Sequence, residues 1–247
     1  MLRTVVTLLM AVIFALPLLP VIIVLRIISL LRPQAGFRRI IERIAHIVLP
    51  PLLKIAGISF EVTGTENLPD EPAMYVGNHQ GGFDAIVPVL YLGSIKSIVL
   101  KKEIGRIPFA GWALRLFGCV FLDRTNLKAQ IACVREMEEK LRSGNDIAVF
   151  PEGTRSRGPE MGDFKAGAFR AAIAAGAPVV PFVIDGSWRC FEEHRKLTPG
   201  TVLISILPPV PTDGLKSTDA RETAVRIREI MQNEQFRLRA EKGKNNA

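Results

Sequence analysis

The segment Asn78-His79-Gln80-Gly81-Gly82-Phe83-Asp84 sets a histidine and a carboxylate five residues apart. An imidazole steadied by an acid is a general base: the acid holds one ring nitrogen and the other takes a proton. A regular helix does not produce that pairing. Five residues turn about 500°, which leaves the two side chains about 140° apart on the cylinder. Gly81-Gly82 changes this, because glycine tolerates backbone angles forbidden to other residues. A tight loop there would return the Asp84 carboxylate to the ring. The competing reading is local. In it, His79 is a loop histidine satisfied by its neighbours, and Asp84 caps the helix that follows. These residues alone do not separate the two.

The elements that must position this pair alternate in type. Ala73 to Val76 is a short apolar run that reads as a buried strand ending at the histidine. Ile58 to Val62 alternates like a strand. Ile98 to Leu100, Cys119 to Leu122, Ile147 to Phe150, Pro178 to Ile184 and Thr201 to Leu207 read as further strands. Between them, Ala85 to Leu92 reads as a short apolar helix ended by Gly93, and Lys165 to Ala175 as another helix. Asn126 caps a helix with Leu127, Ile131, Val134, Met137 and Leu141 on one face. A charged helix from Ser217 to Ala240 carries Ala220, Ala224, Ile227 and Met231 on one side, and Lys242 to Asn246 is expected to fray. This alternation predicts an α/β fold, a mostly parallel central sheet flanked by helices.

In open α/β sheets, ligands bind where strands end. Lys101-Lys102, Asp123-Arg124 and Pro151-Glu152-Gly153-Thr154-Arg155-Ser156 all follow strands. The loops are therefore expected to bring Lys101, Arg124, Glu152, Gly153, Thr154 and Arg155 to one cleft with His79 and Asp84. Arginine forks meet phosphate oxygens in bidentate geometry, and lysine adds a point charge. Gly153 lets backbone amides approach an anion closely. For Lys101 and Arg124, a solvated surface charge is the plainer reading.

The amino-terminal quarter differs. Thr4 to Leu25 has no charged residue, and about 20 such residues suffice to span a bilayer. Pro17 and Pro20 would kink the run, which admits a bent or re-entrant insertion. A secretory signal has a shorter apolar region and a small-residue cleavage site, which Val24-Leu25-Arg26 does not supply. A retained membrane anchor is therefore expected. Arg3 precedes the run, whereas Arg26, Arg32, Arg38, Arg39 and Arg43 follow it, which puts the rest of the chain on the cytoplasmic side of a membrane, the inner membrane in a bacterium. Phe37 to Leu53 reads as a basic amphipathic helix, either lying in the headgroup layer or packed on the core, that Pro50-Pro51 ends or kinks. Residues 1–56 form the expected membrane-associated unit and residues 57–247 the catalytic one.

Composition narrows the partners. The 247 residues carry a formal net charge of +8 and are 48% hydrophobic, with a mean hydropathy of +0.24. That balance suits anionic membrane lipids or phosphorylated substrates. Aromatic residues are 7%, with no basic run interleaved among them, so nucleic acid is not expected. Cys119, Cys133 and Cys190 form no CxxC pair and read as core residues of a chain in a reducing compartment. No HExxH or Cys/His cluster points to a metal, and no cofactor is called for. There is no G-x-S-x-G elbow, and Ala168 stands where a P-loop after Gly162 needs lysine. A base without a nucleophilic Ser or Cys beside it suggests that it activates the substrate's own hydroxyl.

Four blocks, in order, carry a family resemblance. Asn78-His79-x-x-x-x-Asp84 resembles the first motif of the glycerolipid acyltransferases, the family of 1-acyl-sn-glycerol-3-phosphate acyltransferase. Lys101-x-Glu103-Ile104 through Pro108-x-x-Gly111, with Gly118 and Arg124, resembles the second. Phe150 to Ser156, with Phe164-Lys165-x-Gly167 beyond, resembles the third, and Val179 to Phe182 the fourth. The likeness covers about residues 58 to 210. Gly81 departs from it, since the family commonly has serine there. The resemblance implies transfer of a fatty acyl group from acyl-CoA or acyl-carrier protein to the hydroxyl of a lysophospholipid. Lysophosphatidic acid would become phosphatidic acid, with glycerol 3-phosphate or a lyso-aminolipid as alternative acceptors and a non-catalytic anionic-membrane-binding module as the rival class. His79 would be the base and Asp84 its orienter. Lys101 and Arg155, with Arg124, would hold the acceptor phosphate, and Glu152 would position Arg155 or the acceptor. Oxyanion donors are expected among backbone amides.

Overall fold

The computed structural model describes residues 1–31, 36–93 and 97–245; Arg32 of the sequence reading lies outside them. Seven strands form one sheet: β1 (Ile58–Thr63), β2 (Met74–Gly77), β3 (Ser97–Lys101), β4 (Val120–Leu122), β5 (Ile147–Val149), β6 (Val179–Asp185) and β7 (Gly200–Ile206). Their spatial order is β1-β7-β6-β2-β5-β3-β4. From β6 to β4 every neighbouring pair is parallel, whereas β7 runs antiparallel to β6 and carries β1 parallel to itself. The carboxyl ends of β6, β2, β5, β3 and β4 therefore share one edge, with β2 between β6 and β5.

Strands β2, β5 and β6 are buried along their whole length, with both faces covered, which permits continuous apolar runs. Successive residues face opposite layers. Met74, Val76, Ile147, Val149, Val179 and Val183 meet one buried cluster. Tyr75, Ala148, Val180, Phe182 and Ile184 meet the other. The first layer is made by α6 (Leu127–Arg142), α7 (Ala166–Ala175) and α8 (Ala220–Asn245), and the second by α3 (Arg38–Ala56), α4 (Val87–Tyr91) and α5 (Ala110–Phe117). Cys119, Cys133 and Cys190 are buried free thiols. Burial pushes the Cys119 thiol up to about 12.

Several expectations are refined. The apolar run is not one straight helix. It is α1 (Leu2–Ala15) and α2 (Leu18–Leu31), bent by 48° at the Leu16-Pro17 break. Among the described residues no single helix is long and apolar enough to cross a membrane, although the bent pair is by length and composition. Pro50-Pro51 do not end α3, which continues to Ala56. Leu25, Ile41, Leu53 and Ala56 join the sheet's own core, so a boundary at residue 56 does not divide the buried residues into separate cores. On α6 the buried line is Cys133, Met137 and Leu141, while Leu127 and Ile131 are exposed. Helix α8 reaches Asn245, so the stretch expected to fray is helical to that point.

One close approach bears on the site. The Phe182 ring of β6 lies over Gly77, the last residue of β2. A Cβ on Gly77 would sit 2.2 Å from the Phe182 Cζ atom. Gly77→Ala should therefore destabilise the fold by about 1–3 kcal/mol through overpacking. Chemical denaturation in detergent checks this, and an unchanged midpoint would contradict the packing described.

Candidate active site

The backbone leaves β2 through Asn78, whose side chain is fully buried. It accepts from the Ile184 amide at 2.7 Å and donates to the Ile184 carbonyl at 2.8 Å, which ties the end of β2 to β6. Gln80 accepts from the Gly186 amide at 2.9 Å. Between these two anchors stands His79. Its amide donates to Glu152 Oε1 at 2.7 Å, its carbonyl accepts from the Ser156 amide at 2.8 Å, and its ring stacks on Phe150 with centroids 4.6 Å apart.

After Gly81 the chain makes a 3-10 turn, Gly82–Ile86, which returns Asp84. Asp84 Oδ2 lies 2.8 Å from His79 Nδ1 and accepts from the Gly81 amide at 2.7 Å. The two competing readings of Asp84 are therefore both realised by one oxygen, which caps the turn and orients the histidine. A carboxylate only accepts, so Nδ1 carries the proton and Nε2 is left as the basic nitrogen. The Asp84 side chain is fully buried, and that of His79 is 21% exposed.

Glu152 is buried. Its two oxygens accept from the His79 amide and, at 3.0 Å, from the Gly162 amide. Burial raises its carboxyl pKa, and the two amides oppose that rise. Arg155 turns instead to Glu192, with Nη1 2.8 Å from Oε1. It remains beside the histidine loop, since a Cβ on Gly82 would lie 3.4 Å from Arg155 Nη1. Thr154 is exposed.

Gly153 has φ +74°, which L side chains rarely adopt, and Lys165 crosses above it. Both line a cavity of about 190 Å³, walled by apolar Val99, Leu122, Met137 and Phe150 and edged by Arg124. Phe150 is thus shared between this cavity and the His79 ring. Lys101 is not among the lining residues. It is exposed and its ammonium is 3.6 Å from Glu103. Its neighbour Lys102 pairs with Asp123 and holds that carboxyl down to about 2, with help from Thr125.

Four further contributors were not read from the sequence as site residues. Lys165 sat in the third motif block, where Phe-Lys-x-Gly was the available signal. Glu192 and the arginines of α8 had no such signal. Arg228 donates from Nε to the Gly162 carbonyl at 2.7 Å and from Nη2 to the Met161 carbonyl at 2.9 Å. Arg239 binds Asp185 Oδ1 at 2.9 Å and the Pro159 carbonyl. The 156–163 loop is consequently held by His79 and Gln80 on one side and by α8 on the other.

Residues 59–185 match the family model described as Acyltransferase. The chain belongs to that family. This acyltransferase is 37% identical over 170 residues to the chloroplast 1-acyl-sn-glycerol-3-phosphate acyltransferase LPAT1 of Arabidopsis thaliana, covering 67% of this chain but 46% of that protein. It is 34% identical over 193 residues to the alpha 1-acyl-sn-glycerol-3-phosphate acyltransferase of Ovis aries, covering 76% of this chain and 67% of that protein. The solved 1-acyl-sn-glycerophosphate (LPA) acyltransferase PlsC from Thermotoga maritima superposes with a TM-score of 0.70 at 26% identity, over 96% of this chain and 99% of that one. Within the acyltransferase, His79, Asp84, Lys101, Arg124, Glu152 and Arg155 all fall inside the family match, whereas Glu192, Arg228 and Arg239 lie beyond it.

The bonds from Arg228 through Gly162 and Glu152 to the His79 amide form one continuous path. Small misplacements of a reacting group cost up to about 10²-fold in rate. Arg228→Ala should lower kcat about tenfold with little change in KM, and Arg228→Lys should recover part of it. Steady-state acyl transfer measures this. A loss confined to KM would break the path.

Proposed function

We propose that the protein transfers a fatty acyl group from a thioester, acyl-CoA or acyl-carrier protein, to the free hydroxyl of lysophosphatidic acid, giving phosphatidic acid. The observation that carries this is His79 Nδ1 at 2.8 Å from Asp84 Oδ2, in a loop beside which Arg155 lies. The names of the relatives supply the substrate class. His79 Nε2 removes the proton of the acceptor hydroxyl as its oxygen attacks the thioester carbonyl. Asp84 keeps the tautomer and stabilises the imidazolium, as in a triad whose serine is replaced by substrate. The tetrahedral intermediate collapses, the carbon–sulfur bond breaks, and the imidazolium proton goes to the departing thiolate.

Arg155 is the acceptor-phosphate ligand in this reading, and Arg124 and Lys165 add positive charge at the cavity edge. Lys101 contributes from the β3 end as a more distant charge. Glu152 serves the histidine rather than the substrate. The amides of His79, Gly81 and Gly82 already donate to Glu152, Asp84 and Glu192, so the oxyanion donors lie elsewhere. The apolar cavity behind Phe150 suits a fatty chain or the stem of the donor.

Residues 1–56 form the membrane-associated part, and the catalytic part faces the cytoplasm. The exposed apolar side chains of α1 and α2, including Leu8, Leu9, Val12, Ile27 and Leu31, support this. The arginines after the apolar run favour anionic headgroups.

His79→Ala should lower thiol release from acyl-CoA with lysophosphatidate by about 10²–10⁴-fold. Near-normal turnover would remove His79 as the base. A parallel assay with glycerol 3-phosphate separates the acceptors. The full chain should stay with membranes through a high-salt wash and leave them only in detergent. Release by salt alone would rule out insertion of α1 and α2.

A further inference from the structure

Glu192 follows the 3-10 turn Ser187–Cys190 at the end of β6. It is a charged group almost withdrawn from water, with a side chain 4% exposed. Its Oε1 accepts from Arg155 Nη1 and from the Gly82 amide, each at 2.8 Å. Its Oε2 is buried and has no hydrogen-bond partner among the described residues. Leaving a buried oxygen unpartnered is costly, so the carboxylate is held here by what its other oxygen does.

Room for it comes from Gly81. A Cβ on Gly81 would stand 2.8 Å from Glu192 Oε2 and 3.1 Å from the Ser187 carbonyl oxygen. The Gly81 backbone is extended, φ −148° and ψ 176°, a conformation open to any residue. The absent side chain therefore serves space rather than backbone geometry. Gly81, Glu192 and Arg155 form one packed unit on the outer side of the His79–Asp84 turn.

Arg155 is 40% exposed and long, and a free side chain of that kind samples many rotamers. The guanidinium has five donors, and Glu192 engages one nitrogen. We propose that Glu192 is a positioning residue for the acceptor-phosphate site. It holds the Arg155 guanidinium over the Gly81–Gly82 turn, so that the remaining donors of the fork meet a phosphate monoester while its hydroxyl reaches His79. This rests on the reading of Arg155 as phosphate ligand.

The test uses the full chain in detergent micelles with lysophosphatidate as the varied substrate and the single variants Arg155→Ala, Glu192→Ala, Glu192→Gln and Gly81→Ala. Glu192→Ala should raise KM about fivefold or more, with a smaller change in kcat. Glu192→Gln keeps an acceptor oxygen without the charge and should fall between wild type and Glu192→Ala. Gly81→Ala, which presses on Oε2, should raise KM too. The double variant Arg155→Ala/Glu192→Ala should be no worse than Arg155→Ala alone, because both remove one interaction. If Arg155→Ala raises KM while Glu192→Ala and Glu192→Gln leave it unchanged, or if the penalties multiply in the double variant, Glu192 does not position Arg155. If Arg155→Ala itself leaves KM unchanged, the phosphate assignment falls, and this proposal with it.

Discussion

A carboxylate taken out of water must find donors, and the site is organised around that requirement. Asp84 is fully buried, and its Oδ2 is met by an imidazole N–H and by the amide of Gly81. Neither donor comes from a distant element, so the 3-10 turn and the histidine orientation are the same structural event. Glu152 repeats the logic one strand away. Its buried oxygens find the amides of His79 and Gly162, and the β2 and β5 loops are joined as a result. The histidine is thus constrained at its amide, its carbonyl, its Nδ1 and its ring face. One ring nitrogen is left for chemistry.

The parallel sheet makes this convergence possible. Because β6, β2 and β5 run the same way, the loops that follow them leave from one edge. Each loop brings a carboxylate to the neighbourhood of the histidine: Asp84 after β2, Glu152 after β5 and Glu192 after β6. Each uses its acid differently. The first orients a ring, the second pins a backbone, and the third restrains a guanidinium. The reversed β7 and β1 stand apart from this edge and extend the sheet on the far side of β6.

Much of this was legible in the residues. The seven strands among the described residues were readable: β2, β5 and β6, covered on both faces, are written as short unbroken apolar runs, and β1 as an alternation. The His79–Asp84 pairing was open until the geometry showed one oxygen serving both roles. Helix α5 was not anticipated, since Ala110 to Phe117 is only two turns and begins at Phe109, which has φ +59° and no capping side chain. Leu127 and Ile131 matched a helical face yet remain exposed, because periodicity locates a stripe but not the extent of the surface that covers it. The resemblance implied that Glu152 positions Arg155 or the acceptor; its backbone partners, one of them 73 residues away, are not written in any local pattern. Arg228, Arg239 and Glu192 act across long sequence separations, which no local pattern encodes.

Among the described residues helix α8 follows every other element, yet its Arg228 and Arg239 brace the loop that supports the histidine from behind. During synthesis the histidine loop emerges well before this brace. A nascent chain therefore carries its sheet and its reactive loop for some time before α8 arrives. The loop acquires its rear support only once α8 has been made and has docked.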